Sequence, residues 1–137
     1  MSAALAVQKA IRARLMATSA VTDLVAAASI VDAHGSKPDP CIVIGEAQLV
    51  DEGLDLKRRT KRIIHDLHVW KKEPGLEGAN HIAGTVQDAI DQGRFQLDDG
   101  YDCVDLRTSG IRSMRDPDGE TSHAVVTVDT LVFRVSS

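Results

Sequence analysis

Apolar residues recur at helical spacing near the start of the chain. Ala4, Val7, Ile11 and Leu15 lie three or four residues apart, so residues 3–17 are expected to form a helix with one apolar stripe. Arg12 and Arg14 fall away from the centre of that stripe. Ser19 is the expected cap of a second, short helix over "AVTDLVAAA", with Asp23 near its positive end. Gly35, Pro38 and Pro40 then punctuate a turn-rich link.

The period changes at Cys41. "CIVIGEAQLVDEG" (41–53) reads as a strand, and its continuous apolar first half predicts burial on both faces. "GLDLKRRT" (53–60) lacks periodicity and reads as a loop. "KRIIHDLHVWKK" (61–72) is rich in β-branched and aromatic residues and reads as a strand ended by Pro74–Gly75. Strand alternation puts Ile63, His65, Leu67 and Val69 on one face and Ile64, Asp66, His68 and Trp70 on the other. The first, more apolar face is expected to meet the helices.

Leu76, Ala79, Ala83, Val86 and Ile90 then restore the helical period over 75–92. The small residues Ala79, Ala83 and Gly84 would allow close packing on a sheet, and Gly93 fits the position after the helix. Finally "YDCVDLRTSGIRSMR" and "TSHAVVTVDTLVFRV" flank Asp116–Pro117–Asp118–Gly119. That tetrapeptide fits a type I turn followed by a glycine bulge, with Arg115 and Glu120 on either side. Both arms exceed the usual strand length, so the far end of the hairpin is expected to project past the sheet.

This order predicts an α+β class: a mostly antiparallel sheet of four to five strands, helices packed on one face and a long C-terminal β-hairpin. The length, 137 residues, fits one domain spanning 1–137. Apolar residues are 43% of the chain but aromatics only 3%, so the core must be aliphatic.

Charge and chemistry narrow the function. A net charge of −4 argues against wholesale nucleic-acid or membrane-surface binding. Lys9, Arg12 and Arg14 interrupt the N-terminal apolar run, which excludes a signal-peptide core, and no stretch is long enough to cross a membrane. Cys41 and Cys103 are too few and too far apart for a disulfide framework, which suggests a soluble cytoplasmic product.

No nucleophile motif, phosphate loop or dinucleotide fingerprint is present, so catalysis has no positive support. His65 and His68 look like half of a metal site, but alternation sends them to opposite faces. His34, His81 and His123 have no matching spacing. "DPDGE" lacks the closing carboxylate of a calcium loop and has its glycine at the wrong place. We therefore expect no cofactor and no metal.

Lys57, Arg58, Arg59, Lys61 and Arg62 fall within six residues, whereas Asp98, Asp99, Asp102 and Asp105 form an acidic cluster. Head-to-tail self-association ranks first for the basic cluster, a solvated loop second and nucleic acid third. The loop around 51–62 and the hairpin around 110–124 are the expected contact surfaces. The hairpin contributes Arg112, Arg115, Asp116, Asp118 and Glu120.

The ordered series "VTDLV", "PCIVIGE", "HDLHVW", "ANHIAGTVQDAI" and "RDPDGETSHAVVTV" resembles a family of tail-completion, or tail terminator-like, proteins of siphophages and gene transfer agents. That family was long described only as a domain of unknown function. The resemblance spans roughly 20–134, and its most specific pieces are Ile44–Glu46, Leu67–Trp70 and Arg115–Gly119. It implies a non-enzymatic virion protein without cofactor, assembled in the host cytoplasm. It implies a hexameric ring that ends the tail tube and meets the head connector. The implied partners are other copies of the chain, the tube protein and the connector or stopper, with DNA only passing through. Alternatives are another head–tail connector component, such as a stopper or adaptor, and a small metal-binding module using His65, His68 or His123.

Overall fold

A computed structural model describes residues 2–32, 38–54, 56–98 and 100–135. His34, Gly35 and Asp99, named above, lie outside these residues. Helix α1 spans Ala3–Ala17, and its Ser2 cap accepts a 3.1 Å hydrogen bond from the Leu5 amide. Val7, Ile11 and Leu15 are fully buried; Ala3 lies deeper than Ala4, which packs at the stripe's edge.

The second helix, α2 (Ser19–Thr22), is a single turn, and its cap is Thr18 rather than the expected Ser19. The Thr18 hydroxyl donates back to the Arg14 carbonyl at 2.7 Å, so α1 and α2 share one hinge residue. A 3₁₀ turn, Ala27–Ser29, leads into a two-residue strand β1 (Ile30–Val31) that the hydropathy pattern did not reveal. Arg12 explains its position, because its Nε donates to the Ile30 carbonyl at 3.1 Å and ties β1 to α1.

The remaining strands are β2 (Cys41–Asp51), β3 (Thr60–Lys72), β4 (Tyr101–Arg115) and β5 (Thr121–Arg134); helix α3 (Glu77–Ile90) lies between β3 and β4. The sheet has five strands in the order β1-β2-β3-β5-β4. Among the described residues β1–β2 is the parallel pair, and the other three strand pairs are antiparallel.

The register shows why one face is covered. Ile63, His65, Leu67 and Val69 of β3 pair with Thr130, Val128, Val126 and Ala124 of β5, and all eight are buried. Their apolar members join Val7, Ile11, Leu15, Ala79, Ala83, Val86 and Ile90 in one core. The helices therefore pack on a single face, the one expected to meet them. Ala79 and Ala83 lie at that contact, but a Cβ at Gly84 would meet nothing within 4 Å, so Gly84 does not set the helix–sheet distance.

Both ends of α3 are held by side chains from elsewhere. The Glu73 carboxylate accepts from the Ala79 amide at 3.0 Å and the Ser122 hydroxyl at 2.8 Å, doing what Leu76 at the cap position cannot. Arg14 donates to the Ala89 and Ile90 carbonyls at 3.1 and 3.2 Å and lies 4.8 Å above the Phe95 ring. The C-terminal cap is Asp91; Gly93, two residues later, has φ 141°.

The hairpin turn forms as expected. Gly119 donates to the Asp116 carbonyl at 3.0 Å and adopts φ 71°. The hairpin does not run past the sheet, however. β3 accompanies β5 as far as the pair Lys72–Thr121, so only the turn overhangs. The matching length of β3, which ends just before Pro74, is the reason.

Candidate interaction surfaces

The expected contact residues fall into two groups at opposite ends of the sheet. β3 runs from one group to the other, and its thirteen residues separate them by about 40 Å.

At the first end, strand alternation divides the basic cluster. Lys61 shares the helix-side face and reaches Asp51 at 3.4 Å; Arg58 also reaches Asp51, at 3.5 Å. The Asp51 carboxyl is held below its ordinary value, first by the Gly53 amide and further by Lys61 and Arg58, although partial desolvation opposes them. Arg62 points to the other face. Its Nε meets Glu52 at 2.5 Å and its Nη1 meets Asp129 at 2.6 Å. Asp129 is buried and also receives Arg107 at 3.4 Å. Arg62 is thus built into the sheet rather than offered to a partner.

Arg58, Arg59 and Lys61 line a recess of about 210 Å³ together with Leu49, Tyr101 and Arg134. Two main-chain bonds hold this arrangement: the Arg134 amide donates to Arg59 at 2.9 Å, and the Val135 amide donates to Gly100 at 2.7 Å. The Arg59 guanidinium lies 5.2 Å over Phe133. Arg58 has φ 56°, a left-handed conformation unusual for a side chain of its size. Lys57 is exposed beside it. Sequence reasoning missed Arg134 and Tyr101 because β5 and β4 bring them in from more than forty residues away.

The same loop exposes leucines. Leu56 is 97% exposed and Leu54 69%, and Leu49 on the adjoining strand β2 is 48% exposed. Large apolar side chains gathered in solvent beside cations are characteristic of a protein-binding surface.

At the second end, Arg115, Asp116, Asp118 and Glu120 surround the turn, and Arg112 lies further back on β4 beside Val125. Asp118 serves the turn itself. Its carboxylate accepts from the Glu120 amide at 2.8 Å, the Thr121 amide at 3.0 Å and the Thr121 hydroxyl at 2.9 Å. These bonds, that of the Glu120 amide first, hold its carboxyl below the ordinary range.

The histidines separate as alternation requires. His65 is fully buried on the helix side, and neither ring nitrogen meets a hydrogen-bond partner. Burial pushes its pKa down to about 4, against a smaller upward pull from Asp66. His68 lies on the opposite face, where its Nδ1 is 2.9 Å from His123 Nε2; Trp70 stacks on His123 at 3.7 Å. The His68–His123 pair depends on the β3–β5 register, which spacing within one segment does not reveal. Beside it, a Cβ on Gly45 would lie 2.8 Å from the Asp66 carbonyl oxygen and 3.0 Å from His68. The glycine of "IGE" thus lets the bulge in β2 close against the strand that carries "LHVW".

The family described as "Tail completion protein gp17" matches residues 9–132, which is nearly the whole chain. The chain belongs to the tail completion protein gp17 family. Two solved structures share the fold of this family member. One comes from "Virion of native gene transfer agent (GTA) particle", with TM-score 0.81, 20% identity, and coverage of 97% of this chain and 99% of that one. The other is "Structure of bacteriophage SPP1 gp17 protein", with TM-score 0.62, 22% identity, and coverage of 98% and 94%. A search of curated proteins finds no match. Among the described residues of this tail completion family member, no helix is long and apolar enough to cross a membrane.

Proposed function

We propose that this tail completion protein acts as a structural ring, hexameric in the assembled particle, that ends the tail tube and joins it to the head connector. It would reside in a virion or phage-like particle at the head–tail junction. Its partners would be further copies of itself, the tube protein and the connector or stopper, and DNA would only pass through the ring. The role requires no catalysis and no cofactor.

The supporting observation is the separation of two chemically different contact ends on one rigid sheet. The basic, leucine-bearing loop and the charged hairpin turn lie about 40 Å apart along β3. An adaptor must present different surfaces to different neighbours, and loops on a rigid scaffold are suited to this. The same observation fits a stopper or another connector component, so location within the particle separates the two. A metal module has less support, because the His68–His123 pair would need a third ligand, and no group of three His, Cys, Asp or Glu side chains that could hold an ion occurs among the described residues.

The test is the double variant Arg58→Glu, Arg59→Glu. It should retain the folded circular dichroism spectrum and a cooperative melt, lowered only by the loss of the exposed Arg58–Asp51 and Arg59–Phe133 contacts, while failing to support joined particles. Normal particle yield at physiological salt would contradict the proposed role of this loop.

A further inference from the structure

The basic loop lacks an assigned partner. Its surroundings identify one, on the assumption that the ring reading above is correct. β1 covers the outer edge of β2 only at Ile42 and Val43; no described strand pairs with that edge from Gly45 to Asp51. The edge continues into the exposed loop that carries Leu54, Leu56, Lys57, Arg58 and Arg59. On the opposite side of the sheet, β4 is the other edge, with no described strand beyond it.

At its start, β4 bears exposed Asp102 and Asp105, with Asp98 just before them. Between the two carboxylates lies Val104, a bulge residue that is 45% exposed. One edge therefore offers cations around leucines, and the other offers carboxylates around a valine. Both lie at the same end of the sheet, since Thr60 and Asp102 pair with the same residue, Phe133. A rotation about an axis parallel to the strands, without translation, brings the two edges together at one level. That is the condition for a head-to-tail contact to close into a ring rather than climb into a filament.

We propose that the start of β4 in a second copy of this chain docks against the basic, leucine-bearing loop of the first. Lys57, Arg58 and Arg59 face Asp98, Asp102 and Asp105 of the neighbour, while Leu54 and Leu56 cover its Val104. Contact is through side chains, because the two bulges of β4, at 103/105 and 108/110, blunt main-chain pairing. DNA is a poorer occupant, because it would meet the cations but leave the leucines in water.

Two charge reversals test the pairing in the full chain: Arg58→Glu with Arg59→Glu, and Asp102→Lys with Asp105→Lys. Each should weaken self-association in sedimentation roughly tenfold or more, and all four together in one chain should restore it. A quadruple variant no better than either double, or doubles that associate normally, would overturn the contact. A chain carrying Leu56→Cys and Val104→Cys should form disulfide-linked ladders in purified particles. Incorporation into particles without such links would also overturn it, including where the isolated chain stays monomeric. If Arg58→Glu with Arg59→Glu abolished binding to duplex DNA or anionic vesicles and left self-association intact, the loop's partner would be different. Absence of the protein from the head–tail junction, with ladders still forming, would instead remove the functional reading and leave the contact standing.

Discussion

Replacing His65 with leucine should stabilise the protein, increasingly so as pH falls. His65 sits in the helix–sheet layer, paired across to Val128, and both ring nitrogens are without hydrogen-bond partners. A folded-state pKa of about 4 against an ordinary 6.5 means that the unfolded chain takes up the proton first on acidification. Stability contributed by the neutral ring is therefore complete above pH 6.5. It falls through the interval from 6.5 to 4 and is lost below it. At about 1.4 kcal/mol per pH unit, the full shift corresponds to roughly 3 kcal/mol, and about 2 kcal/mol of it disappears between pH 7 and pH 5. Leucine removes this dependence and also the cost of two unsatisfied polar atoms, about 1–3 kcal/mol. Urea denaturation at both pH values measures the difference directly. The wild type should lose about 2 kcal/mol more than the variant on acidification. Equal losses would show that His65 is not held neutral in the folded state.

Other single changes probe the supports of the fold. Glu73→Gln should cost about 1 kcal/mol at neutral pH by weakening the start of α3, measured by thermal melting. Burial alone would raise the Glu73 carboxyl, but the Ser122 hydroxyl and the Ala79 and Gly78 amides outweigh it and lower it. Its contribution is thus present above the ordinary carboxylate range and lost as pH falls through it, so wild type and variant should converge in acid. Arg14→Ala should cost about 1–3 kcal/mol by releasing the last carbonyls of α3, and lysine should restore only part. Gly45→Ala should cost about 1–3 kcal/mol in chemical denaturation, because its Cβ would press on the Asp66 carbonyl and His68.

The strands and long helices were legible because each carried an unbroken period. The two arms of the hairpin match almost residue for residue, since Asp116–Gly119 admits one turn. β1 is illegible in the sequence because two residues have no period; its parallel pairing with Ile42 and Val43 of β2 defines it. Thr18, not Ser19, caps α2, because its carbonyl accepts the opening bond of that turn from the Thr22 amide at 3.1 Å, a choice that composition does not reveal. Alternation sufficed to separate His65 from His68. Which residue faces His68, and how the basic cluster divides between a recess and the Asp129 ion pairs, follow from long-range register. The hairpin does not overhang as expected, because β3 is nearly as long as its arms and pairs with β5 up to Lys72–Thr121.

Electron microscopy of intact particles with this chain labelled is the most direct test of the central claim. The proposed function predicts density for a closed ring of the protein between the last tube ring and the head connector. Label in the baseplate or the capsid shell would contradict it.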